Sequence, residues 1–556
     1  MFGIHYSGNF MFRPSFFRLP LPLPLRPSSH RLSCSMVVVL LVAMAVSTNI
    51  HAQDFDILIR GGTVVDGTGA ARFTADVAIK GDRIVRVGVI PSELSAGQVI
   101  DATGMIVSPG FVDPHSHSAP GIETAELAAA IPVLYQGITT VMINPDGGGP
   151  ADLRPQVESI RLNGPGVNVI PMIGHNGVRK EVMGTDNRSP TISEQSQMEE
   201  YVHAAMSFGA FGLSTGPFYI PGKFSTTDEI VKLAQVAEKF PDAFHISHIR
   251  DESNYDIGVV AAVDEVIQIS RESGIPGIVT HMKMLGPPVW GKSEEAIELI
   301  DRARAEGLEI WADQYPYAAS GTSLQPALVP GWVQAGGSDA MIGRLNDRSQ
   351  REIIREEMAA NLARRAGPHA LMIRKYDPEP SYVGMRLDEI ADQRLENPLD
   401  TAIEMLINDG APVISFNMNE YDVRAIMRQS WTMTSSDGGL TLPGVRLEHP
   451  RSYGAFPRKI RRYVLDSGVI TLEQAVHSAT GLPAKVFNIM DRGELRAGAF
   501  GDVLVFSLER IRDTATYTRP ESLSEGIDYV VVNGKIAIDN GEISSGRFGR
   551  VLLRGD

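Results

Sequence analysis

Met105-Ile-Val-Ser-Pro-Gly-Phe-Val-Asp-Pro-His-Ser-His117 decides how this chain is read. The run from Met105 to Val112 is apolar and has the length of a buried β-strand. In a strand, residues i and i+2 point to the same side. His115 and His117 therefore aim two imidazoles at one point just past a strand end. That is how a chain presents nitrogen ligands to a borderline-soft ion such as zinc. Two histidines make half a site, so other segments must supply the rest.

Downstream, short apolar runs alternate with helical stretches. The runs are Gly137–Ile143, Val167–Ile173, Ala210–Ser214, Ala243–Ser247, Gly277–Thr280, Leu308–Ala312 and Trp431–Thr434. Amphipathic stretches such as Thr227–Lys239 and Ser293–Glu306 separate them. Repeated βα units of this length indicate a (β/α)8 barrel. Pro412–Phe416 also reads as a strand, one run too many, so the pattern leaves the seventh strand open. The charged helical region Asp339–Arg365 reads as an insertion before the last strand.

In such barrels the reactive groups sit at the C-terminal ends of the strands. Those positions hold His115 and His117, then Asp146, His175, His248, His281 and Asp437. One histidine alone is more often a hydrogen-bonded structural residue than a ligand. Several at successive strand ends of one barrel reverse that expectation. His203, His245, His369 and His477 fall off these positions and are read as structural. Asp437 either caps its Gly-Gly turn or serves as a general base, and the histidines opposite favour the base. The chemistry this predicts is metal-assisted hydrolysis of an amide or cyclic amide. The metal polarises the carbonyl and lowers the pKa of its water. Asp437 then carries the proton to the leaving nitrogen.

Composition bounds the rest. The chain has 556 residues, 43% of them hydrophobic, enough for a large core and more than one structural unit. A formal net charge of -15 argues against a nucleic-acid partner; the expected partner is the small-molecule amide substrate that the strand-end residues imply. Met36–Val46 reads as the apolar core of a secretory signal preceded by Arg26 and Arg31, with cleavage after Ala52. The run is short for a transmembrane helix, although a retained anchor is the alternative. The expected location is therefore export, to the periplasm, with no membrane contact after cleavage. The Pro-rich segment before it leaves Met11 and Met36 as alternative starts. Cys34 is the sole cysteine and lies in that leader, so the mature chain would carry no disulfide. Short strands and turn dipeptides occupy Asp54–Asp101 and recur at the C-terminus in Asp502–Phe506 and Tyr529–Asn533. They predict a small β-sandwich built from both termini. The expected organisation is leader 1–52, sandwich 53–108 and 491–556, and barrel 109–490 with an insertion at about 338–400.

These motifs resemble the amidohydrolase superfamily, and within it the D-aminoacylases (N-acyl-D-amino-acid deacylases). The resemblance spans nearly the whole mature chain. Its most specific parts are Pro109–His117, Gln136–Val141, Gly174–Gly184, Gly212–Gly216, His248–Glu252, Tyr315–Tyr317, Ser436–Gly438 and His449–Arg451. The resemblance implies a zinc-dependent deacylase with one or two ions, manganese or cobalt being possible. His248 and His281 would hold the tighter ion, and His115 and His117 a weaker one. Asp437 would be the acid/base. Arg451 would pair with the substrate α-carboxylate, and Tyr317 and Ser323 would assist it. His175 and Arg179 would also bind substrate. Read from composition alone, Arg451 is as well a surface ion pair.

One position departs from the family. D-aminoacylases place a cysteine after the second strand as a shared ligand, and this chain has Asp146 there, in Asn144-Pro-Asp-Gly-Gly148. A carboxylate ligates zinc and can bridge two ions, although the same sequence is also a good turn. Lys283, after His281, is a second bridging candidate if carboxylated. Two alternatives stay open within the superfamily, a hydrolase of D-configured dipeptides and a cyclic amidase of the hydantoinase or dihydropyrimidinase type. A non-catalytic exported binding protein on the same fold is the third.

Overall fold

A computed structural model describes residues 53–555. The signal-like run Met36–Val46, the cleavage point after Ala52 and Cys34 lie outside the described residues.

Eight parallel strands form the barrel. They are Phe111–Asp113, Ile138–Ile143, Asn168–Pro171 with its continuation Ile173–Gly174, Leu213–Thr215, His245–Ser247, Gly277–Val279, Ile310–Gln314 and Thr432–Thr434. Each pairs in parallel with the next. Nearly all are uniformly buried, which is why they read as short apolar runs without alternation. The first and eighth strands do not pair directly, but their extensions do. Ser116 and His117 pair with Gly438 and Gly439, and the Asp437 N–H donates to the His115 carbonyl at 2.9 Å. The segments carrying the candidate ligands thus join the two ends of the strand ring.

The seventh strand is Ile310–Gln314. The surplus run, Pro412–Ser415, instead pairs antiparallel with Ser320–Ser323 and Leu371–Ile373 in a separate three-stranded sheet. The excursion between the seventh and eighth strands therefore begins at Ser320, earlier than about 338. It has a core of its own, including Leu324, Leu328, Met358, Leu371, Leu387 and Val413. Hydrophobic burial of that size lets an insertion hold its own shape.

Helices return the chain between strands, and their caps set where each begins. Thr191 and Glu194 form a capping box at Ile192–Phe208, Thr226 caps Thr227–Glu238, and left-handed Gly209 and Gly274 end two helices. Their apolar faces pack with Ile170, Phe244, Ile246, Ile278 and Met433 or with Ile173, Leu213 and Ile230. Among the described residues no helix is long and apolar enough to cross a membrane.

Both termini build one nine-stranded sheet. Ile106–Pro109 joins its halves, pairing with Phe55–Val64 on one side and with Val503–Phe506 on the other. Alternation divides its faces. Ile57, Ile59, Val503 and Val505 share one core, while Leu504, Phe506, Val530 and Val532 pack toward Phe111 and Ile138 of the barrel.

Candidate active site

Asp146 stands among four imidazoles. Its Oδ1 lies 3.4 Å from His115 Nε2, 3.5 Å from His248 Nδ1 and 3.4 Å from His281 Nε2. Its Oδ2 lies 3.3 Å from His117 Nε2. These separations exceed good hydrogen bonds. They match the edge of a tetrahedron whose arms are zinc–ligand bonds of about 2.1 Å, roughly 3.4 Å. Two ligand triads share Asp146, one with His115 and His117 and one with His248 and His281. His115 Nε2 and Asp146 Oδ1, 3.4 Å apart, are both buried without a hydrogen-bond partner. Buried polar atoms are nearly always satisfied, so two orphaned atoms facing one point mark a place built for a cation. The donor set of imidazoles and a carboxylate fits zinc.

The backbone is bent to bring these groups together. Asp146, His281 and Asp437 have φ of 55°, 35° and 48°, in the left-handed region that non-glycine residues rarely visit. Such strain clusters where function fixes a geometry. Gly216, after the fourth strand, is what lets the Asp146 turn approach, since a Cβ there would lie 2.1 Å from the Asp146 carbonyl oxygen. The His115 ring is fixed from behind by a contact between its Nδ1 and Thr280 Oγ1.

The electrostatics favour added positive charge. Burial opposes protonation of His117, but Asp146 and Asp437 outweigh it and push the imidazole up to about 9. Burial and Lys283 oppose protonation of His281, but Glu252 and Asp146 push it up to about 10. The same negative field would hold a metal ion.

Asp437 lies 3.3 Å from His117 Nε2 and is held by Arg451, with Nη1 at 2.8 Å from Oδ2 and Nη2 at 2.9 Å from Oδ1. Burial would raise its carboxyl pKa, but Arg451 and the imidazoles outweigh burial and hold it well below the usual range. Asp437 is therefore ionised, as a base must be. Lys283 does not reach the Asp146 turn. Its Nζ pairs with Glu252 and lies 2.7 Å from His281 Nδ1, so it is spent on a salt bridge rather than free to bridge ions.

A cavity of about 1030 Å³ opens over this cluster, lined among others by His117, Asp146, Tyr219, Lys283, Tyr315, Asp437 and Arg451. Four of the expected substrate contacts lie elsewhere and are corrected. His175 and Arg179 are wholly buried and both bind Glu229, His175 Nε2 at 2.8 Å and Arg179 Nε at 3.0 Å, so they form an internal ion network outside the cavity lining. Tyr317 is buried behind the wall with its ring 5.2 Å from His449, and Tyr315 takes the cavity position. Ser323 precedes the helix Leu324–Leu328, while Ser320, Gly321 and Thr322 face the cavity.

Sequence reasoning missed other groups. Phe218 and Tyr219 flank His248, with ring centroids at 5.4 Å and 4.6 Å. They follow the Gly212–Gly216 motif directly, the one signal that pointed to them. Glu252, four residues after His248, positions both His281 and Lys283.

The family profile described as Amidohydrolase family matches residues 357–538. Over 530 residues the chain is 35% identical to an N-acyl-D-glutamate deacylase of Alcaligenes xylosoxydans xylosoxydans, covering 90% of this chain and 97% of the relative. It is 32% identical to a D-aminoacylase of the same organism, covering 90% of this chain and 98% of the relative. Among solved structures, the N-acyl-D-glutamate deacylase of Bordetella bronchiseptica, complexed with zinc and a phosphonate mimic of the tetrahedral intermediate, superposes with a TM-score of 0.77. That match has 33% identity and covers 90% of this chain and 99% of the other.

Proposed function

Because the chain belongs to the amidohydrolases, in the family of the D-aminoacylases, we propose that it hydrolyses the amide of N-acyl-D-amino acids to a carboxylate and a free D-amino acid. The observation that carries this reading is the Asp146 carboxylate set among His115, His117, His248 and His281, with Asp437 beside it at the cavity floor. The four histidines and Asp146 would hold zinc. Zinc bound there would polarise the amide carbonyl and lower the pKa of a coordinated water to about 7.

The residues of the chain do the rest. Asp437, ionised and aimed at the same space, takes the proton of the attacking water and delivers it to the amide nitrogen as that nitrogen leaves. Arg451 reaches the cavity with a planar guanidinium suited to the substrate α-carboxylate, and Tyr315 lies under it, ring centroid 4.7 Å from Cζ. Phe218 and Tyr219 shield the His248 side from water. The cyclic-amide alternative called for a lysine between ions, and Lys283 is occupied by Glu252. Export to the periplasm is proposed from the leader sequence alone.

The test is release of free amino acid by the purified, zinc-supplied protein from paired N-acetyl-D- and N-acetyl-L-amino acids. Release from the D forms supports the reading. Release only from L forms, or from neither while zinc is bound, rules it out.

A further inference from the structure

The floor of the cavity has a fixed order. Arg451 borders Gly321 of the insertion, where a Cβ would lie 3.2 Å from its Nη2. The same Nη2 donates to Asp437 Oδ1 at 2.9 Å, and that oxygen lies 3.3 Å from His117 Nε2. Beyond His117 the wall changes character. Ala119, Pro120 and Leu127, from the loop after the first strand, line the cavity together with Leu440, Leu442 and Val445, from the loop after the eighth. The strand extensions bring these loops together, since Ser116 and His117 pair with Gly438 and Gly439 just before them. Gly121 permits close contact, because a Cβ there would lie 2.1 Å from the Leu440 carbonyl oxygen. Ala119, Leu127 and Leu440 pack on one hydrophobic core. The Val445 N–H donates to the Leu442 carbonyl at 3.3 Å, which folds the rest of the loop into a turn. The six residues make one apolar surface on the His117 side of the site.

Two features mark this surface as a binding surface. The first is its exposure. Leu442 and Val445 are 47% and 50% exposed although they line a cavity. Single exposed apolar side chains need no explanation, but a contiguous set that continues a reaction site is the hallmark of a ligand groove. The charged residues nearest to it are already engaged, Glu123 by Gln156 Nε2 at 2.9 Å and Arg446 by Glu448. The second feature is room. At about 1030 Å³ the cavity stands at the top of the range, roughly 300–1,000 Å³, that encloses drug-sized ligands. An N-acetyl amino acid is far smaller than such a ligand. Bound at Arg451 and Asp437, it would leave the apolar surface in water.

We infer that this surface is the acyl subsite, and that the preferred substrates carry a medium-chain aliphatic acyl group rather than acetyl. This rests on the deacylase reading above and concerns the half of the substrate which that reading leaves open. The order along the floor sets the orientation. The α-carboxylate lies at Arg451 and the leaving nitrogen at Asp437. The acyl chain then runs past His117, between the two loops, toward Leu442 and Val445 at the mouth. Each methylene that enters leaves water for an apolar wall, and binding strengthens with chain length.

The test uses the zinc-supplied full enzyme and the N-acetyl, N-butanoyl, N-hexanoyl and N-octanoyl derivatives of D-methionine and of D-glutamate, with release of the free amino acid as the readout. On whichever amino acid is turned over, kcat/KM is expected to rise by about two- to fourfold per added methylene, and by about 50-fold or more from acetyl to octanoyl. The N-(6-aminohexanoyl) derivative, charged at its chain end, should fall below the N-hexanoyl one. Leu442→Ser should cut the octanoyl-to-acetyl ratio by about threefold or more. Leu442→Met, which keeps the apolar bulk, should retain it. A flat or falling series overturns this inference and leaves the deacylase reading standing. So does a 6-aminohexanoyl compound better than the hexanoyl one, which would make Glu123 the recognition element instead. No turnover of any compound overturns both. If Leu442→Ser fails to fold, the wild-type series decides.

Discussion

Arg451 holds Asp437 at both oxygens, Nη2 donating to Oδ1 at 2.9 Å and Nη1 lying 2.8 Å from Oδ2 as a charge contact without hydrogen-bond geometry. The expected substrate anchor thus also fixes the expected acid/base. The guanidinium beside it keeps Asp437 ionised. Asp437→Asn keeps size and hydrogen-bonding shape but cannot take a proton. Its kcat should fall by about 10²- to 10⁴-fold, the usual worth of a positioned general base. Zinc content measured by elemental analysis should stay at the wild-type level. Near-wild-type turnover would remove Asp437 from the mechanism.

Asp146 is expected to hold metal. Asp146→Ala should therefore lose zinc, seen as a lower metal-to-protein ratio after dialysis. Asp146→Cys, which introduces the ligand that the family resemblance places there, should keep at least one ion. Full occupancy in Asp146→Ala would make this residue a turn former and nothing more.

Glu229 tests the corrected residues. It is the shared partner of His175 and Arg179, all three buried. Glu229→Gln leaves Arg179 without a counter-charge, and breaking such a buried pair costs about 3–5 kcal/mol. Denaturant titration should show the loss, while KM of the surviving folded enzyme stays within about twofold. A large rise in KM with unchanged stability would return His175 and Arg179 to the substrate.

Lys459 gives the fold a pH signature. It is 3% exposed, and its Nζ donates only to hydroxyls, Thr434 Oγ1 at 2.7 Å and Ser478 Oγ at 2.9 Å. Burial pushes its pKa down to about 7. The unfolded chain holds that proton up to about pH 10.4. Between those values the unfolded state binds more protons, so stability rises with pH. Lys459→Met removes the cost of burying the charge. It should stabilise the protein most at pH 7 and below, on the order of a few kcal/mol, and the gain should shrink toward pH 10. Thermal melts of both proteins across this range check it, and a gain independent of pH would contradict it.

Much of this site was legible because its ligands sit at the very ends of strands. His115, His117, Asp146, His248, His281 and Asp437 each follow an apolar run, and the structure brings all six together. His175 and Arg179 looked equivalent, at the third strand end. What separates them is Glu229, a partner some 50 residues away on another helix, which no local pattern reveals. Tyr317 failed for a related reason. The strand stops at Gln314, so the alternation that would put Tyr315 and Tyr317 on one side no longer holds, and only Tyr315 faces the cavity. The seventh strand stayed open because Pro412–Phe416 and Leu308–Ala312 are both short, largely apolar runs, and such a run does not tell a parallel barrel strand from an antiparallel one inside an insertion.

The most direct test of the account is anomalous diffraction at the zinc edge from a zinc-soaked crystal of residues 53–556. The account predicts a peak bounded by Asp146, His248 and His281, with Asp437 facing it. Zinc bound elsewhere, or an Asp146 carboxylate turned away from a peak held by the histidines alone, would contradict the claim that this carboxylate anchors the catalytic metal.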